Sequence, residues 1–459
     1  MALFARKSLD MLSGSLWDKI ILFAVPLAFT GVLQQLFNAA DVAVLGRYVS
    51  NEAMAAVGTD VPVIGTVVSL AMGLALGANV IVARFIGMKD EAAANRGVHT
   101  AFALALILGL VIAAIGEIFC SEIMALLSVP DSVSEHASDY LRVFLLGLPF
   151  ITVYNFLAAV FRSNGDTNTP LMALIVATVF NIAGNLFFVV VIPMGAAGVA
   201  LATALANGLA AGILFVKQLK MPGVLHLEFS RLLQLDKPSL NAMVRIGLPA
   251  GIQGMVFSLS NMIIQAAINN LGADAMAGSV AAFTIEINVY CFINAFGLAA
   301  TTFVSQNYGA GNLARCRRAT WVSMWINFAA TALLIVVVIA FAHRMLSFFS
   351  ESEAVIALGI VRIWYVVLPE LINVVMETVS DAMRGYGYSL PPAMVTLVCI
   401  CSIRILWVYT VFPASPTFDT LMMVYPVSWL VTMTLLVVLY FRHQKTLETR
   451  MNRRHTHAD

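Results

Sequence analysis

The chain has 459 residues, 60% of them hydrophobic and 11% charged, with a mean hydropathy of +0.90. Soluble domains carry roughly a quarter charged residues, so a water-soluble globular protein is excluded and lipid must serve as solvent for the apolar surface. A formal net charge of +1 excludes the basic footprint that nucleic-acid binding requires.

A helix needs about 20 apolar residues to cross the hydrocarbon core. By that measure the apolar runs predict an all-α integral membrane protein with twelve transmembrane helices. They fall near 17–46, 59–86, 97–119, 137–161, 168–192, 196–217, 240–271, 275–306, 319–343, 354–381, 389–412 and 420–442. Arg6, Lys7 and Lys19 accompany the start of the first run. That run is too long for a signal peptide and reads as a retained span.

Span 1 carries Gln34, Asn38 and Asp41, the last about two-thirds of the way along. Asn38 and Asp41 are three residues apart and share a helix face, with Gln34 one turn earlier. An ionisable group at this depth costs roughly 2.5–3.5 kcal/mol on insertion scales, which makes it a functional candidate. A bare carboxylate here needs a proton, a cation or hydrogen-bond donors; the alternative is a structural cap near Arg47. In span 4, Tyr154 is a candidate to line a pocket for flat cations, or to pack.

Residues 167–216 contain no Asp, Glu, Lys or Arg. One helix of that length would be about 75 Å long, so the run must fold back, and Pro193-Met-Gly195-Ala-Ala-Gly198 marks the break. Span 5 presents Asn181 and Asn185 at i and i+4, and span 6 presents Thr203. With Asp41 they make a plausible oxygen shell for a proton relay or for Na⁺; interhelical polar packing accounts for them equally well.

In the second half, Glu286 sits near the middle of span 8, with no cation close in sequence. Glu370, Asn373 and Glu377 share a face of span 10, where Arg404 of span 11 could neutralise one of them. Tyr290 is a second aromatic pocket candidate. Asp166, Arg162, Asp381 and Arg384 read as turn residues at helix ends. The five cysteines, Cys120, Cys291, Cys316, Cys399 and Cys401, have no disulfide or zinc spacing.

The chain also repeats itself at an offset of 222 or 223 residues. Pro26, Gly31 and Asn38 match Pro249, Gly254 and Asn261; Gly87 and Arg96 match Gly309 and Arg318; Arg162, Gly165 and Pro170 match Arg384, Gly387 and Pro392. An even number of spans per copy implies parallel repeats related by a pseudo-two-fold along the membrane normal. The expected organisation is a six-helix lobe (1–217), an inter-lobe linker (218–239), a second six-helix lobe (240–442) and a basic tail (443–459). Placing both termini in the cytoplasm leaves only Arg47, Arg142, Arg344, Arg362 and Arg404 on the opposite side, as the positive-inside rule requires.

Two six-helix lobes are transporter architecture. All seven histidines lie at span ends or in connections, and no metalloprotease, nucleophile-elbow or phosphate-loop motif occurs. An enzyme, a channel and an ATP-driven pump are therefore disfavoured.

The pattern resembles the multidrug and toxin extrusion (MATE) family. The resemblance is carried by Pro26 with Ala39-Ala-Asp41-Val-Ala-Val-Leu-Gly46, by Gly73 to Asp90, by Phe161-Arg-Ser-Asn-Gly165-Asp-Thr-Asn-Thr-Pro170, and by Asn181 followed by Gly195 to Thr203. In the second half Ser305 to Asn312 and Met383 to Gly387 repeat the pattern. It implies a monomeric antiporter of the cell membrane that exports amphipathic, often cationic, small molecules in exchange for H⁺ or Na⁺. No other cofactor and no obligate protein partner are implied; membrane lipid is the surrounding partner. Asp41, Asn181, Asn185 and Thr203 would be the coupling site, holding Na⁺ as metal if sodium couples. Gln34, Asn38, Tyr154, Phe257, Asn261 and Tyr290 are cavity candidates, and Glu286, Glu370 and Glu377 second-lobe acids. Two departures stand out: Asn185 replaces a frequent Asp, and Phe257 falls where one branch of the family has a Glu in span 7. A lipid-linked oligosaccharide flippase of the wider superfamily is the alternative; such flippases need cations at depth, whereas the deep charges here read as mainly acidic.

Overall fold

The computed structural model describes residues 9–127 and 131–456; Arg6, Lys7 and His457 lie outside them. Among the described residues, twelve helices are long and apolar enough to cross a membrane: Leu16–Tyr48, Val57–Gly87, Glu91–Ile118, Val133–Ser163, Asn168–Val191, Gly195–Lys220, Lys237–Asn269, Ala273–Gly309, Leu313–Leu346, Glu353–Gly385, Leu390–Ala414 and Phe418–Thr449. They are numbered spans 1 to 12 below. No strand occurs among the described residues.

The break between spans 5 and 6 falls where the sequence places it. Span 5 ends in a π-helical turn, Phe187–Val191. Gly195 then takes φ +61°, a left-handed conformation that glycine adopts without a Cβ penalty, and starts span 6. Span 10 also contains a π turn, Ile363–Val367, just before Pro369. Proline has no N–H to continue the ladder, and the helix restarts at Glu370. The last helix continues through to Thr456, so no change of secondary structure marks residue 443.

The described chain gathers into two compact units, residues up to Met255 with Ser305–Leu313, and Val256–Val304 with the chain from Ala314 onward. In the first, spans 2, 3, 4 and 6 pack through a core rich in small side chains, including Ala78, Ala101, Ala158, Ala159, Ala206 and Ala210 around Phe156 and Phe161. Between helices in lipid the driving force is close packing rather than apolar burial, and small residues let backbones approach. Gly73 and Gly77 of span 2 meet span 7 in this way. A Cβ on Gly77 would lie 2.2 Å from the Met243 carbonyl oxygen, and one on Gly73 2.2 Å from the Gly251 nitrogen.

The segment after span 6 is fastened to the start of span 3. Asn95 Nδ2 donates to the carbonyls of Val224 and His226 at 3.3 and 2.8 Å. His99 Nε2 accepts from the Glu228 N–H at 2.9 Å, and Thr100 Oγ1 from the Asp236 N–H at 3.0 Å. Leu225 and Leu227 are buried beneath it. Asp236 then caps span 7, its Oδ2 accepting from the Ser239 N–H at 2.9 Å.

Candidate functional site

Four polar residues from three spans meet inside the first unit. Asp41 is 4% exposed, although it sits in a long apolar helix. Its Oδ1 accepts from Asn185 Nδ2 at 2.6 Å and its Oδ2 from the Thr203 hydroxyl at 2.8 Å. Asn181 Nδ2 donates to Thr203 Oγ1 at 3.1 Å, and Asn185 Nδ2 reaches Asn181 Oδ1 at 3.3 Å. The i, i+4 spacing puts both amides on the face of span 5 that meets spans 1 and 6, and the break at Gly195 folds Thr203 back against them. Asn185 Oδ1 is buried and accepts nothing among the described residues.

All of Asp41's bonds come from neutral groups, so the carboxylate is positioned but its charge is not cancelled. Within the cluster, five side-chain oxygens converge: both of Asp41, and one each of Asn181, Asn185 and Thr203. An all-oxygen donor set suits a proton or a hard cation.

The other first-lobe candidates stand apart. Gln34 is half-buried and Asn38 exposed, so of the three polar residues on that face only Asp41 engages spans 5 and 6. Tyr154 is a correction. It is buried in the first core and its hydroxyl donates to the Pro170 carbonyl at 3.4 Å, so it packs and lines no open pocket. Asp166 does sit at a turn, where Oδ1 accepts from the Thr169 N–H at 2.9 Å.

In the second unit the charges are arranged differently from the sequence expectation. Arg362 and Arg404 are not at the outer ends of their helices; both are buried inside spans 10 and 11. Arg362 is the partner of Glu286, with Nη2 and Nε at 2.9 and 3.0 Å from Oε2, and its Nη1 donates to Ser279 at 2.8 Å. Arg404 forms no ion pair with a glutamate among the described residues. Its Nη1 donates to Asn261 Oδ1 at 2.6 Å, and its guanidinium lies over Tyr425 and the half-buried Phe257 at 4.6 and 5.1 Å. The deep charge of this lobe is therefore mixed in sign, which corrects the expectation of a mainly acidic interior.

Glu370 is buried and accepts from Asn373 Nδ2 at 2.8 Å. Glu377 is half-buried one turn before Asp381. Asp381 forms a buried ion pair with Arg384 near the end of span 10. Tyr290 is half-buried and within electrostatic reach of Glu377, Asp381 and Glu370.

Sequence reasoning missed one residue outright. Asp60 of span 2 is 0% exposed, and neither carboxylate oxygen has a hydrogen-bond partner among the described residues. The available signal was an Asp in Gly58-Thr-Asp60-Val-Pro-Val, inside an apolar run and with no basic residue within a turn.

The MatE family matches twice, over residues 26–187 and 249–410, at the same offset as the internal repeat. The probable multidrug resistance protein YoeA of Bacillus subtilis is 28% identical over 399 residues, covering 85% of this chain and 86% of the relative. The probable multidrug resistance protein NorM of Thermotoga maritima is 28% identical over 399 residues, covering 84% of each. Among solved structures, a MOP superfamily transporter from Pyrococcus furiosus superposes with a TM-score of 0.88 at 20% identity, covering 96% of this chain and 100% of that one. That likeness bears on the fold, two lobes of six helices. With a family match over both halves, twelve spanning helices and the shared two-lobe fold, the chain belongs to the MatE family of multi-pass membrane transporters.

Proposed function

We propose that this transporter is a secondary antiporter that exports amphipathic, often cationic, compounds in exchange for H⁺ or Na⁺ by alternating access. The observation that carries the reading is Asp41, a buried carboxylate held only by neutral donors. The relatives named as multidrug resistance proteins support the cargo class.

The chemistry follows from donor and acceptor counts. As a carboxylate Asp41 only accepts, and both of its oxygens are used. Taking up a proton turns one oxygen into a donor that needs an acceptor, and neither the Asn185 Nδ2 nor the Thr203 hydroxyl proton that it now faces supplies one. Na⁺ would instead take lone pairs from the same oxygens and from the unused Oδ1 of Asn185. Either ligand redistributes the hydrogen bonds that tie span 1 to spans 5 and 6. Pro26, inside span 1, interrupts the backbone ladder and supplies a place to bend. Both termini face the cytoplasm in this scheme, and one chain suffices.

The test is efflux of a fluorescent organic cation from proteoliposomes under an imposed pH gradient or an imposed Na⁺ gradient. Efflux driven by one gradient and lost in Asp41→Asn is expected, and it names the ion. Wild-type efflux in the variant, or none under either gradient, overturns the reading.

A further inference from the structure

Asp60 is the most exposed question in the first lobe because it is the least exposed acid. A carboxylate stripped of water and given no donor is among the most costly groups a membrane protein can hold, yet Asp60 has no exposure and two unpartnered oxygens. Its neighbours along span 2 fix its direction. Val57, one turn before it, packs into the cluster of Val44, Leu45, Tyr140 and Phe144. Val63 and Ile64, one turn after it, pack against Cys120, Ala137 and Leu141. Asp60 therefore faces span 4 and the short helix Cys120–Leu126 rather than lipid.

The titratable groups around it can be named. The Tyr140 phenol on span 4 is within electrostatic reach of both Asp60 and Asp41. The Cys120 thiol is within reach of Asp60, and of Glu117 and Arg142 beyond it. Glu117 and Arg142 are already paired with each other at 3.4 Å. No basic side chain among the described residues bonds to Asp60 itself. The environment supplies nothing that stabilises a negative charge there, while a neutral carboxyl fits an apolar setting at far lower cost.

We propose that Asp60 is a second proton-binding carboxyl of the first lobe, set in the electrostatic field of the Asp41 site with Tyr140 placed near both. The proton comes from water and forms an O–H bond on one oxygen of Asp60, so no further reactant is needed. Emptying and refilling Asp60 then changes the charge felt at Tyr140, which also feels Asp41. Any part it plays in exchange rests on the proton-coupled form of the antiport reading, whereas the binding of the proton stands without it.

The experiment is infrared spectroscopy of the purified protein at neutral pH, following the carbonyl band of protonated carboxyl groups in H₂O and D₂O. A component of that band that is present in wild type and in Asp41→Asn, and missing in Asp60→Asn, is expected. A spectrum unchanged by Asp60→Asn overturns the proposal. Asparagine closely matches the neutral acid in shape, and Asp60→Ser provides a second, smaller neutral variant with the same expected loss. The measurement needs no transport, so a protein that exports nothing in proteoliposomes but shows the Asp60 band sinks the antiport reading alone.

Discussion

Thr203 gives its one hydroxyl proton to Asp41 Oδ2 at 2.8 Å and takes a hydrogen bond from Asn181 Nδ2 at 3.1 Å. Thr203 thus links the carboxylate of span 1 to the first amide of span 5 through a hydroxyl, as Asn185 does through its Nδ2. Thr203→Val keeps the shape and removes both bonds. Hydrogen bonds to charged groups contribute about 1.5–3 kcal/mol, so ion-driven efflux should fall about ten-fold or more, with the variant still folded and inserted. Rates within two-fold of wild type would mean that Thr203 only fills space.

Asn185 offers the reciprocal experiment. Its Nδ2 is 2.6 Å from Asp41 Oδ1, so Asn185→Asp would set two carboxylates against each other. Like charges at that spacing cannot both ionise without a shared proton or a cation. The variant's Tm should rise when choline chloride is replaced by sodium chloride, and by more than the wild type's does. Equal responses would show that the second oxygen pair captures no cation.

The buried Glu286–Arg362 pair makes a prediction about stability rather than transport. Removing one partner leaves the other charge uncompensated, at a cost of about 3–5 kcal/mol. Glu286→Met should therefore lower the thermal stability of the detergent-solubilised protein severely, and Glu286→Met with Arg362→Met should recover most of it. A double variant as unstable as the single one would show that Glu286 has some other indispensable contact.

Asp236 governs where span 7 begins. Hydrogen bonds from Ser239, with Arg96 nearby at 3.7 Å, hold its carboxyl below the usual range. A group with a depressed folded-state pKa stabilises the fold above the ordinary carboxylate range and loses that contribution as pH falls through the lowered value. Asp236→Ala should cost about 1 kcal/mol at neutral pH, typical of a lost helix cap. The gap from wild type should close in acid below about pH 4, as read by thermal melts across a pH series.

Much of this protein is legible in the sequence, and what is not has a physical pattern. The spans and the break at Gly195 follow from run length and from glycine, which are local properties. The meeting of Asp41 with Asn181, Asn185 and Thr203 follows from helical spacing plus the fold-back, with the family resemblance placing span 1 beside spans 5 and 6. Arg362 and Glu286 are 76 residues apart, and no periodicity joins them. Arg404 reads as a partner for an acid because charge is visible in a sequence, while its stacking on Tyr425 and Phe257 depends on the rotation of three separate helices. Asp60 shows the same limit, since partnerlessness is a property of everything around a residue.

The glycine contact between spans 2 and 7 has a consequence for motion. Where Gly73 and Gly77 meet Met243 and Gly251, backbone lies against backbone, a geometry in which dispersion and weak Cα–H···O contacts of about 0.5–1 kcal/mol each are what binding rests on. Such a junction behaves like two smooth plates. At those glycines no side chain stands between the helices, while Met243 and Ile246 of span 7 still bury their side chains in the first core beside Leu74. A single methyl group at Gly77 would hold the plates ajar.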